Sequence, residues 1–120
     1  MPDAAGISII ALGSALGGMA RYALVVSIES GRRDPRWPIG TLVVNLLGCL
    51  LLGLVVSSAG LAAQEALQRG LVAALGSFTT VSAFVLESWQ RRLHRRTWMA
   101  YGSVTVLGCL IMFRLGQALA

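Results

Sequence analysis

Polar side chains that recur at helical spacing inside uncharged stretches are the chemistry-bearing feature of this sequence. Thr41 and Asn45 stand at i and i+4, with Gly48 and Cys49 one turn further on, so they fall on one helical stripe. Asn45 is the sharpest of them, because its amide carries two N–H donors and a carbonyl. It either serves a guest or makes an interhelical hydrogen bond that holds a bundle together. Tyr101, Thr105 and Cys109 repeat at i, i+4 and i+8, a ladder of two hydroxyls and a thiol on one face. Taken alone, that ladder also fits a satisfied packing seam. Beside a second ladder, it suggests a shared polar track.

A third segment reads GSFTTVSAF over residues 76–84. Between Phe78 and Phe84 it strings together Thr79, Thr80, Val81 and Ser82, preceded by Gly76 and Ser77. Hydroxyl and β-branched residues in a row are poor helix formers. A break in the helix is expected here, the alternative being an unbroken helix whose Ser and Thr bond back to their own carbonyls. Carbonyls freed at such a break can coordinate a cation.

None of these tracks contains Asp, Glu, Lys or His. A proton-coupled transporter needs a titratable group at membrane depth. Arg21 is the clear charge inside a long apolar run, and it does not release its proton. Hydroxyl O–H, amide N–H and the electropositive edge of a phenyl ring such as Phe84 all turn positive ends toward a guest, which suits an anion. No nucleophile and base stand together, so an enzyme is not expected. A small multidrug exporter, also of four spans, would need a membrane carboxylate. The first run has none, and Glu87 lies at the end of the third.

The elements that carry these residues follow from composition. The chain has 120 residues, 56% apolar and only 12% charged. Soluble domains carry about 25% charged residues, and a short chain has a large surface to keep in water. Lipid is therefore the expected solvent. Four runs almost free of charge, interrupted only by Arg21, Glu87 and Arg114, give spans at about 4–28, 37–59, 70–87 and 97–118, each near the length that crosses hydrocarbon. Each must be helical, because lipid offers backbone groups no partner. The expected fold is an all-α membrane protein, one four-helix transmembrane domain over residues 1–120. Gly13 and Gly17 form a small-xxx-small pair suited to close helix contact. The start Met1-Pro2-Asp3, without a basic residue, is unlike a secretory signal.

Cys49 and Cys109 lie sixty positions apart, fit no metal spacing and give no disulfide framework. His94 is the single histidine. The net charge of +5 comes from arginines in short blocks, without a basic face or an aromatic RNA-binding motif, so no nucleic-acid partner is expected. Those blocks carry an orientation signal. Loops 29–36 and 88–96 hold seven arginines, the loop 60–69 holds only Arg69, and the N-terminal tail holds no basic side chain. Basic loops stay in the cytoplasm, so both termini are expected outside.

At this point the residues resemble the Fluc family of fluoride channels, also called CrcB. The matching stretches are GGMARY (17–22), WPIGTLVVNLLGCLLLG (37–53) and GSFTTVSAF (76–84), with Tyr101 opening the fourth span. The resemblance implies a passive fluoride channel in the bacterial inner membrane. It implies antiparallel dimers of four-helix subunits, a broken third helix, and two pores lined by both subunits. It also implies a structural sodium ion on the dimer axis, held by the carbonyls of Gly76 and Thr79. The pore-lining Asn would be Asn45, the second family phenylalanine Phe84, and the polar track Tyr101 and Thr105, with Cys109 where a hydroxyl is usual. Arg21 would be the structural arginine of the first span.

The match departs from the family pattern at TTVSAF: Val81 replaces the first phenylalanine and Ala83 the last threonine. An antiparallel homodimer needs each chain to insert both ways, with nearly balanced loop charge. Seven arginines against one predicts one-way insertion, and so a partner subunit of opposite topology that supplies the missing ring. The partner is thus either a second copy or a related subunit. Val81 keeps open a non-conducting assembly or regulatory role.

Overall fold

The computed structural model describes residues 3–30, 39–80, 85, 86, 89 and 95–120. Val81, Ser82, Ala83 and Phe84 lie outside the described residues. Asp3 starts the first helix: its carboxylate accepts the Gly6 N–H at 2.8 Å, satisfying a donor that has no partner inside the helix. Helix α1 then runs Ala4–Glu29, α2 Ile39–Ser57, α3 Ala59–Ala62, α4 Glu65–Phe78 and α5 Arg95–Leu119. Among the described residues the fold is all helix.

Three of these helices, α1, α2 and α5, are long and apolar enough to cross a membrane. The chain is a multi-pass membrane protein. The expected third span is occupied by α4, which begins at Glu65 and stops at Phe78 after 14 residues. That is about 21 Å of helix, short of a hydrocarbon core about 30 Å thick. Glu65 and Arg69 form an i,i+4 ion pair that supports its first turns. Arg95 and Arg96, read from sequence as loop, form the first turn of α5.

Helix α2 sits at the centre. Of its most apolar window 39% is buried, against 6% for α1 and 11% for α5. Helix α1 packs chiefly on α4 and α5 chiefly on α2, while α2 also touches α1 and α4. The buried apolar side chains are few: Leu42, Val44, Val55, Phe78 and Tyr101. Thr41 and Asn45 are buried among them. Outer-face residues such as Leu12, Leu16, Leu107 and Ile111 are exposed, as a lipid-facing surface requires.

With so small a core, backbone approach does much of the packing. A Cβ at Gly13 would collide with the Gly70 carbonyl and one at Gly17 with the Ala74 carbonyl. The two contacts are four residues apart on both helices, so α1 and α4 run parallel. One further turn puts Arg21 level with Phe78, the last residue of α4. A cation at that level faces the negative end of the α4 dipole. Helices α2 and α5 also run parallel, with Leu46 on Gly108 and Gly53 against Gly116. Small residues let the helices close in this way without a hydrophobic driving force between them.

The end of α1 is tied to the start of α2. The Gly40 N–H donates to Glu29 Oε1 at 2.8 Å. A carboxylate at a helix N-terminus meets unpaired N–H groups and the positive end of the dipole. This sets where α2 begins, and hence the height of the Thr41–Asn45 stripe in the bundle.

Candidate functional site

The helix ending at Phe78 is closed by its own side chains and by Asn45. Thr79 is extended, with φ −82° and ψ 157°. Its N–H donates to the Leu75 carbonyl at 3.0 Å, and its hydroxyl donates to the same oxygen at 3.2 Å. The next N–H, of Thr80, would reach Gly76 O in a continuing helix. It donates instead to Asn45 Oδ1 at 2.8 Å. In return, Asn45 Nδ2 donates to the Thr80 carbonyl at 3.0 Å. The Asn45 amide thus pairs both backbone groups of one residue, as a neighbouring strand would. It does so at 6% exposure, where unpaired polar groups are costly.

Two consequences follow. The Gly76 carbonyl is released from Thr80; the Thr79 hydroxyl faces it at a long 3.5 Å. And Asn45 spends one of its two N–H hydrogens on Thr80, leaving the other free of that pairing. Gly48, one turn beyond, lets the chain end approach: a Cβ there would collide with the Thr79 methyl. The requirement for Gly48 is therefore steric.

Two half-open cavities meet at this point. One, of about 650 Å³, runs from Asn45, Thr80 and Thr105 toward Trp98, Met99 and Ser103. The other, of about 610 Å³, runs from the same three residues toward Gly76, Thr79 and Cys109. Neither is lined by a charged side chain among the described residues. Asn45, Thr79, Thr80, Gly76, Thr105 and Cys109 are thus brought together. Thr41 and Tyr101 are fully buried and line neither cavity. The Thr105 hydroxyl donates to the Tyr101 carbonyl at 2.8 Å, so its proton is held by its own helix and its lone pairs face outward. Arg21 is half-buried on α1, away from both cavities.

The interhelical bond that the sequence left as an alternative for Asn45 is present, and it goes to backbone rather than to another side chain. Two relations were missed. Glu29 read as a loop acid but caps α2. Cys49 and Cys109, which match no sequence spacing, line one cavity across the α2–α5 seam. The helical stripes that carry each thiol were readable; the register between α2 and α5 that joins them was not.

The family model described as CrcB-like protein, Camphor Resistance (CrcB), matches residues 8–117. The chain belongs to the CrcB family. A CrcB relative from Chloroflexus aurantiacus, named fluoride-specific ion channel FluC, is 38% identical over 119 residues, covering 94% of this chain and 93% of its own. One of the same name from Paracoccus denitrificans is 45% identical over 86 residues, 68% of each chain. Fluoride-specific ion channel FluC 1 from Geobacillus kaustophilus is 46% identical over 90 residues, covering 74% of this chain and 72% of its own. CrcB proteins are ion-channel proteins and not enzymes, and this holds for the chain.

Replacing Asn45 by Ala leaves the Thr80 N–H and carbonyl without their partner. Thr80 is half-buried, so the loss lies toward the lower end of the about 1–3 kcal/mol that each unpaired buried group costs. Unfolding of the detergent-solubilised variant should shift by about that amount relative to wild type. An unchanged unfolding midpoint would show that Asn45 does not hold the end of α4.

Proposed function

We propose that the chain is a passive, fluoride-selective channel subunit that exports fluoride from the cytoplasm. The observation that carries this reading is the Asn45 amide: buried, fixed by Thr80, and set where two uncharged polar cavities meet. Fluoride-specific channels among its relatives supply the ion. Dehydrating a small anion is the main barrier, and prealigned N–H and O–H donors lower it without needing to turn. The remaining Asn45 N–H and the Thr80 segment supply that track, with Thr105, anchored to the Tyr101 carbonyl, and Cys109 on its wall. Without a charged side chain among the described residues of the cavity lining, binding stays weak enough for exit.

The reading extends to the segment beyond Thr80. Val81, Ser82 and Phe84 continue the track, and the Phe84 ring edge meets the anion. Thr41 backs the Asn45 stripe, and Arg21 is structural. The third span is broken, its helix α4 ending at Phe78. The carbonyls of Gly76 and Thr79 hold a sodium ion on a dimer axis. The Gly76 carbonyl fits that role, since Thr80 no longer pairs it and the space above Gly76 is open. A bound sodium would supply fixed positive charge near the anion track.

A second subunit completes the walls, in keeping with cavities that are open on one side of a single chain. The seven-to-one arginine bias across the loops puts both termini outside and loops 29–36 and 88–96 in the cytoplasm. It also favours a partner of opposite topology over a second copy. Reporters fused to either terminus should signal on the outer face alone; equal signal on both faces would remove the need for a separate partner.

Fluoride efflux from liposomes, followed with a fluoride electrode, tests the function. The chain, alone or with a companion subunit of opposite loop bias, should release fluoride and retain chloride. Asn45→Asp should abolish the flux, because a carboxylate repels the anion and offers no N–H. Liposomes that hold their fluoride in every combination, or an Asn45→Asp variant with undiminished flux, would contradict the proposal.

A further inference from the structure

Cys49 and Cys109 stand on different helices, α2 and α5, which run side by side in parallel, and both face one cavity. On one side of them Gly108 packs on Leu46, where an added Cβ would lie 2.7 Å from Leu46 Cδ2. On the other side Gly53 crosses Gly116 in backbone contact. The seam is thus pinned on both sides of the thiols. Both cysteines are unoxidised and half-buried. They line one wall of the cavity of about 610 Å³ that also holds Asn45 and Thr105.

The donor set decides what such a pair can bind. No third histidine, cysteine or carboxylate joins it among the described residues. Structural zinc takes four ligands, and calcium or magnesium takes six or more oxygens or waters. Soft ions with a filled d shell accept sulfur donors, and two suffice for them.

We propose that Cys49 and Cys109 form a two-sulfur site for a soft, thiophilic metal ion, and that occupying it closes the cavity they line. The binding clause stands on the α2–α5 seam alone; the closing clause rests on the channel reading. Mercury(II) is the probe. It forms one bond to each sulfur as the two S–H bonds break, and both protons leave to solvent. No electron is transferred, so no oxidant is needed. The bound ion then stands on the wall that also carries Thr105 and Asn45.

These are the only two cysteines in the chain, so stoichiometry is a clean readout. Purified protein in detergent is titrated with mercury(II) against a monothiol competitor. Wild type should bind one ion per chain, with both thiols protected from a maleimide together. Cys49→Ala and Cys109→Ser should each weaken binding by about a hundredfold or more, the advantage of a second tethered donor being of order 10²–10⁴. Two ions per chain, no bound ion, or a single variant that binds as tightly as wild type would overturn the site. In liposomes, mercury(II) should cut wild-type fluoride efflux at least tenfold, and each variant should keep its own untreated rate. One ion bound per chain with efflux unaltered would overturn the closing clause. Untreated liposomes that pass no fluoride would count against the channel reading and leave the binding result to decide the site.

Discussion

The paired hydrogen bonds between the Asn45 amide and the backbone of Thr80 are the interaction on which the rest of this structure depends. They take the Thr80 N–H away from Gly76 and give a helix end inside the bundle a partner that lipid cannot provide. Without them the chain after Phe78 has a half-buried donor and acceptor to satisfy elsewhere. With them, α4 stops where α2 can hold it, and the Gly76 carbonyl is left for other use. Gly48 serves the same junction by leaving room for the Thr79 methyl. The supporting contacts lie farther off: Glu29 sets the start of α2, and the Gly13–Gly17 face lets α1 bring α4 close.

Much of this was legible in the residues. Uncharged runs of spanning length predict the long helices, and α1, α2 and α5 are long and apolar enough to cross. The run GSFTTVSAF marks where helix propensity fails, and α4 stops within it, at Phe78. The i,i+4 stripes place Thr41, Asn45 and Gly48 on the inner side of α2, and all three are buried. What the residues could not give is register. Whether Asn45 meets a side chain, a backbone or a guest depends on how far α4 slides along α2. The meeting of Cys49 with Cys109 depends on the same kind of offset between α2 and α5. The early start of α4 at Glu65 was also missed, because the charge of Glu65 and Arg69 ended the apolar run while their i,i+4 pairing continued the helix.

The polar wall is built from neutral groups held in place rather than from charge. Thr105 gives its proton to its own helix, Thr79 gives its proton to Leu75, and Asn45 is held by Thr80. Each commitment fixes a rotamer; the Thr79 and Thr105 hydroxyls have spent their protons on their own helices, and the Asn45 N–H left over is the donor an entering ion meets already oriented. Neutral donors also avoid the deep well that an arginine or lysine would create. The charges of this chain lie elsewhere: Glu29 and Arg69 near helix ends, Arg21 level with the end of α4, and the arginine blocks in the loops. That division between an uncharged lining and charged edges is what a passive pathway for a small anion requires.

Nuclear magnetic resonance of the Asn45 side-chain amide, in the chain reconstituted in lipid, tests the central claim most directly. One amide proton is engaged by the Thr80 carbonyl and the other is not committed to it. Titration with fluoride should move the second proton resonance and leave the first in place, while chloride moves neither. If fluoride shifts neither proton, or releases both from their positions together, Asn45 is not a fixed donor to the ion.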